Sequence, residues 1–369
     1  MSKHKSVRSS SRTGGAAKGK PAASGSAAVF WAIGIVAVVL GAFLYLRSLS
    51  PSQPLNSGST TPVASSSPLP AAPAPAPAAP LVNSPGTAAL EPETPTEPPI
   101  DMNSVSDLLN FGNLLLSEGK LEEAERIYRR AIDVNPDDED THFNLAIALN
   151  RQGRVEEAVA AYEEALTIFP DYVEAQHNIA NALLSLGRTN DAIARLEEAV
   201  ALNPDYGPVL NNLGRIRALG QEWDAAIELL ARAVEVDPEN YEYNFNLGTT
   251  HLRKGDFPKA VDALGKASEL KPHDPLTVNL LSQALAFNKQ PDRAMEIIST
   301  TLQVHPNNVE LLFNLGQIQL HNGRPEAAKD TFLRVSVLAP EFKAAKSAMA
   351  QAQAAMEKQA TPPPLKSAP

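Results

Sequence analysis

Residues 139–172 read EDTHFNLAIALNRQGRVEEAVAAYEEALTIFPDY, and Pro170, near the end of that stretch, is one of seven prolines on a fixed interval. Pro136, Pro170, Pro204, Pro238, Pro272, Pro306 and Pro340 each stand 34 residues from the next, which marks a repeat array. With this proline at place 32, the repeats run 105–138, 139–172, 173–206, 207–240, 241–274, 275–308 and 309–342. Place 20 is alanine in every one: Ala124, Ala158, Ala192, Ala226, Ala260, Ala294 and Ala328. Place 8 is always small: Gly112, Ala146, Ala180, Gly214, Gly248, Ser282 and Gly316. Small residues at two fixed places let two helices cross at close backbone approach.

Inside each repeat apolar residues recur at helical spacing, as in Leu145, Leu149, Ala158, Tyr162, Ala165 and Leu166, so each repeat is a helix pair. Gly119, Gly153, Gly187, Gly255 and Gly323, near place 15, end the first helix, and Pro258, Pro291 or Pro325 sits near the start of the second. Through the places of Gly112, Ala124, Tyr128, Ala131 and Pro136 and their counterparts, the array resembles the tetratricopeptide repeat family, over 238 of 369 residues. The resemblance implies an all-α fold, a right-handed solenoid of seven helix-turn-helix repeats whose first helices line a concave groove. Such an array buries its apolar faces only between neighbours and needs covered ends. Residues 343–358 read as a capping helix with Met349 and Met356 turned inward, the other reading of such a stripe being a binding surface. Pro362, Pro363 and Pro364 then open a tail, 359–369, expected to be disordered.

Outside the array the composition changes. The chain has no cysteine, which excludes disulfides, thiolate metal sites and a cysteine nucleophile. Its net charge of −10 divides into +7 over residues 1–47, −4 over 48–104, −16 over 105–342 and +3 over 343–369. The acidic balance argues against a nucleic-acid partner. Residues 1–26 carry Lys3, Lys5, Arg8, Arg12, Lys18 and Lys20 with no acid and are expected to be a disordered cytoplasmic segment. Residues 27–46 are 20 uncharged, largely apolar residues, and as a helix they would be about 30 Å long, enough for one transmembrane pass. The basic excess before them places the N-terminus in the cytoplasm and the array across the membrane, periplasmic or extracytoplasmic in a bacterium. A cleaved signal peptide is the competing reading, with an apolar region usually shorter than this one. Residues 47–104 form a Pro/Ala-rich linker, with 14 prolines between 48 and 100. Read as polyproline-like chain, it is a spacer reaching at most roughly 160 Å.

Place 6 carries the candidate binding row. It is Asn110, Asn144, Asn178, Asn212 and Asn246, then Leu280, then Asn314. Two places before the core residue at place 8, this side chain should face the groove. A carboxamide both donates and accepts, so a row of them can hold an extended peptide by its backbone without reading its sequence. The repeats are similar in this to those of O-linked N-acetylglucosamine transferases and of importin-like solenoids, whose asparagine ladders hold extended peptides. The other reading is that asparagine at this place is inherited family pattern. Beside the row, at place 5, stand Phe143, His177, Asn211, Phe245, Asn279 and Phe313. Leu276, Leu280 and Phe287, facing Phe313, suggest an apolar pocket near repeats 6 and 7, with drift and a self-association patch as alternatives. Chaperone-tail binders of the family use groove lysines; here the groove cations are Arg151, Arg215 and Arg253, which argues against that partner.

No chemistry of an enzyme is legible. The seven histidines lack metal-ligand spacing, and neither a phosphate-binding glycine loop, a G-x-S-x-G elbow nor an H-E-x-x-H occurs. No cofactor, metal or small-molecule substrate is expected. The sequence therefore reads as a membrane-tethered, non-enzymatic scaffold that binds extended protein segments, in envelope assembly or secretion. The alternative is a substrate-recognition subunit for a catalyst on another chain, such as a glycosyltransferase.

Overall fold

A computed structural model describes residues 102–360. The segments read as a basic head (1–26) and a membrane helix (27–46), most of the linker (47–104) and most of the tail (359–369) lie outside the described residues. Among the described residues there are fifteen helices and no strand, and no helix is long and apolar enough to cross a membrane. The first repeat gives α1 (Val105–Ser117) and α2 (Leu121–Val134), the second α3 (Glu139–Arg151) and α4 (Val155–Ile168), the third α5 (Val173–Ser185) and α6 (Thr189–Leu202). The fourth gives α7 (Gly207–Leu219) and α8 (Trp223–Val236), the fifth α9 (Tyr241–Lys254) and α10 (Phe257–Leu270). The sixth gives α11 (Pro275–Phe287) and α12 (Pro291–Val304), the seventh α13 (Val309–His321) and α14 (Pro325–Leu338), and α15 (Lys343–Ala360) closes the stack. Every first helix begins at place 1 and every second at place 17.

Local chemistry fixes these ends. Ser104, Asp138, Asn240, Asp274 and Asn308 each accept a backbone N–H of the first turn they precede, as Asp274 does from Thr277 at 2.8 Å. Such caps satisfy donors that the helix cannot. The turn between the paired helices needs one left-handed residue at place 15. Five repeats supply glycine, while the other two force Gln221 (φ 62°) and Lys289 (φ 60°) into that conformation.

Packing explains the fixed small residues. Place 20 alanines are fully buried, and so are the residues at place 24, Tyr128, Tyr162, Leu196, Leu230, Leu264, Ile298 and Phe332. Each first helix crosses its second so closely that a Cβ on Gly112 would stand 2.5 Å from Tyr128 Cε1, and one on Gly316 2.5 Å from Phe332 Cε1. Two large cores result, one from the first four repeats and one from the last three with α15. A small cluster of Leu210, Ala233 and Tyr243 lies between them in sequence.

First helices of successive repeats approach one another directly, α1 with α3, α7 with α9, α9 with α11 and α11 with α13, whereas second helices do not to the same degree. The first helices thus form the inner side of the stack.

The closing helix runs two residues beyond the expected 343–358, and it packs on α14 through Ala345, Ala348 and Ala352 rather than through a methionine seam. Met349 is half-buried at the edge of the core and Met356 is also half-buried. Small side chains win the seam because they allow the closest approach to α14.

Candidate functional site

The inner face is built from places 5, 6 and 9 of the first helices, and three of its place-6 asparagines, Asn212, Asn246 and Asn314, are tied to the preceding repeat. Asn212 Nδ2 lies 2.8 Å from His177 Nε2 and donates to Asn181 Oδ1 at 2.7 Å. Asn246 Nδ2 donates to Asn211 Oδ1 at 2.8 Å, and Asn211 in turn donates to Glu242 Oε1 at 3.2 Å. Asn314 Nδ2 donates to Asn279 Oδ1 at 2.8 Å and to Ser282 Oγ at 2.7 Å. The recurring step is thirty-five residues, from place 6 back to place 5 of the repeat before.

These bonds orient the amides. With Nδ2 held toward the neighbour, the side-chain oxygens of Asn212, Asn246 and Asn314 carry no bond to the protein and belong to half-buried residues. What the face offers at these three places is a fixed acceptor more than a donor–acceptor pair.

The remaining expected site residues divide differently. Asn110 is exposed on α1, where no earlier repeat stands against it. Asn144 is fully buried and donates to Asp140 O of its own helix at 2.9 Å. Asn178 is buried too, near the Tyr162 hydroxyl. Phe143 is a core residue, stacked on Tyr172 with centroids 4.8 Å apart and edge-on to Tyr162. Phe313 is likewise core, between Phe332 and Phe342. Phe245 is half-buried and stacks on Tyr241.

The apolar side chains of repeats 6 and 7 do not converge on one pocket. Phe287 turns back to stack on Phe257 of α10 at 4.9 Å, Phe313 is taken up by the core, and Leu276 is exposed at the helix start. The residue one step before Leu280 in this register is Phe245, which offers no acceptor, and both pack half-buried against the C-terminal core.

Electrostatically the face is mixed. Arg215 lies 3.6 Å from Glu242, so one of its few cations is paired. Burial holds the His177 imidazole down to about 4, and it is therefore neutral at neutral pH. The neutral ring accepts from Asn212 at Nε2, which puts its proton on Nδ1. His177, Asn181, Asn211, Asn279 and Ser282 were not expected as parts of the site. Their signal was present, since a polar place 5 at His177, Asn211 and Asn279 is followed one repeat later by an asparagine at place 6.

A stack of 34-residue antiparallel helix pairs, small at places 8 and 20, is a helical-repeat binding architecture. Profiles of the tetratricopeptide repeat match residues 109–173 and 217–275, and a second set matches 149–216, 183–244 and 285–352. Together they cover well over half of the sequence, and the chain belongs to the tetratricopeptide repeat family. Among curated proteins none matches it. Among solved structures it is similar to the C-terminal part of a repeat-containing protein of Cytophaga hutchinsonii, at 15% identity and a TM-score of 0.54 over 65% of this chain and 99% of that one. It is similar also to pilF of Pseudomonas aeruginosa, at 18% identity and a TM-score of 0.51 over 59% and 97%. A tetratricopeptide repeat protein of Parabacteroides merdae aligns at 19% identity and a TM-score of 0.47 over 68% and 98%. Likeness at such identities concerns the fold.

Proposed function

We propose that the chain is a non-enzymatic scaffold, tethered to a membrane through residues 27–46, that holds extended segments of partner proteins along its inner helix face. Repeats of this family bind protein and peptide partners, which supports the general role. The observation that carries the finer reading is the row of oriented, unbonded amide oxygens on Asn212, Asn246 and Asn314. An extended peptide has a backbone N–H at every residue except proline, and a row of fixed acceptors can take several without reading side chains. Each such bond contributes about 0.5–1.5 kcal/mol net, against an association cost of several kcal/mol, so micromolar affinity is expected.

The uncharged stretch 27–46 after a basic head supports the tether, and the Pro/Ala-rich linker supports a spacer between membrane and array. Adding protease to intact and then permeabilised cells tests the placement. An array cleaved only after permeabilisation on the cytoplasmic side contradicts it. For binding, the chain in mild detergent is titrated into a permanently unfolded, reduced and alkylated protein. Saturable micromolar binding is the expected result. Recovery of one stoichiometric enzyme, with no affinity for unfolded chains, would favour the recognition-subunit role instead.

A further inference from the structure

The three acceptors of the inner face occupy one equivalent place. Asn212, Asn246 and Asn314 all stand at place 6, so the step from the first to the second is one repeat and from the second to the third two. The helices that carry them are joined by direct approaches, α7 with α9, α9 with α11 and α11 with α13. Helices in such contact have axes about 8–10 Å apart. The acceptors are therefore spaced at about 8–10 Å and then at about twice that, with Leu280 at the place between.

Few extended conformations offer N–H groups at that spacing. A β-strand advances about 3.3 Å per residue and turns successive N–H groups to opposite sides, so those on one side recur at about 6.6 Å or about 13 Å. A polyproline-type helix has three residues per turn and rises about 3.1 Å per residue, so every third N–H faces the same way at a step of about 9.3 Å. Only the second step falls within the repeat spacing. Such a helix makes no internal hydrogen bonds, so its N–H groups are free to donate.

We infer that the inner face takes partner segments in the polyproline-type conformation, one turn per repeat, an inference that rests on the peptide-holding role proposed above. Residues i, i+3 and i+9 of the segment donate their N–H groups to Asn212, Asn246 and Asn314, or residues i, i+6 and i+9 do so when the chain runs the other way. The remaining turn lies at Leu280, where no acceptor stands. Leu280 and Phe245 are both half-buried and apolar, so this turn needs no N–H and accepts an apolar residue, proline included. The partner class is a proline-rich or similarly extended segment that lacks proline at three fixed positions. Proline elsewhere helps, because it fixes φ and lowers the ordering cost of binding.

The test uses three acetylated and amidated twelve-residue peptides of identical composition, nine prolines and three alanines, each shown by circular dichroism to be polyproline-type. Alanine stands at residues 2, 5 and 11 in the first, at 2, 8 and 11 in the second, and at 2, 4 and 6 in the third. Each is titrated into the full chain in mild detergent and followed by fluorescence anisotropy. One of the first two is expected to bind about tenfold or more tighter than the third, and to lose that advantage when its three alanines are N-methylated. The preference should also vanish in folded Asn212→Ala/Asn246→Ala/Asn314→Ala. Equal binding of the three peptides, or a preference that survives in the triple variant, overturns the inference. So does a chain that holds reduced, alkylated unfolded protein but none of the peptides, a result that leaves the proposed function standing. A chain that holds neither removes both.

Discussion

Asn212 Nδ2 and His177 Nε2 are 2.8 Å apart across the junction of the third and fourth repeats, so the imidazole must be neutral to accept. Burial lowers the folded-state value of His177 to about 4, against about 6.5 in an unfolded chain. Between those values the unfolded chain binds the extra proton, so the stability from this site is present above pH 6.5 and lost as pH falls toward 4. His251 is shifted down by burial as well, with Asp256 opposing the shift, and contributes in the same direction. Urea midpoints measured between pH 7.5 and 4 should fall with pH, and His177→Gln should flatten part of that slope. A slope unchanged in the variant removes His177 from the account.

Two turns carry strain that glycine would relieve. Gln221 and Lys289 hold positive φ at the place where five other repeats have glycine. A left-handed conformation costs an ordinary residue roughly 1–2 kcal/mol, part of which is offset by the greater unfolded-state freedom of glycine. Gln221→Gly and Lys289→Gly are each expected to stabilise by about 0.5–1 kcal/mol, read as a higher melting temperature. Gly153→Ala should act in the opposite sense.

Where place 8 is glycine, at Gly112, Gly214, Gly248 and Gly316, the crossing leaves no room for even one methyl group. Alanine is the better helix former by about 1 kcal/mol, yet a Cβ on Gly316 meets the fully buried Phe332 ring at 2.5 Å. Overpacking of this kind costs about 1–3 kcal/mol, so Gly316→Ala should destabilise despite the gain in propensity. Equilibrium unfolding decides the sign.

The closing helix protects its neighbour and little else, since each element in a stack touches only those beside it. Ala348 is 3% exposed in the seam with the C-terminal core. Ala348→Asp should release α15 and speed amide hydrogen exchange in α13 and α14, with α1 to α5 unchanged. Uniform acceleration along the whole array would instead mean that the stack unfolds as one unit.

Much of the fold is legible because backbone geometry writes it into single residues. Pro170 and its six counterparts end second helices, and Ala158 and its counterparts lie where two helices touch, so the period and the helix starts can be read directly. Burial at α15 cannot, since Ala348 and Met349 are both apolar and only the distance to α14 selects the alanine. The site was legible by place and not by partner. Asn246 reads as a groove residue from its own repeat, but its bond to Asn211 joins residues thirty-five apart, and a single repeat does not contain it. Phe143 and Phe313 share a place with half-buried His177, yet Tyr172 and Phe342 draw the two rings into the core.

The proposed function requires that the oxygens of Asn212, Asn246 and Asn314 accept backbone N–H groups of an extended partner. Its most direct measurement is a titration of the reduced, alkylated unfolded protein with the wild-type chain, with Asn212→Ala/Asn246→Ala/Asn314→Ala and with Leu333→Glu. Each protein is first shown by circular dichroism to be folded. Losing three bonds of about 0.5–1.5 kcal/mol each should weaken binding by about tenfold or more in the triple variant. Leu333→Glu, on the outer face, should bind as the wild type does. Equal affinity of the folded triple variant and the wild type would contradict the account.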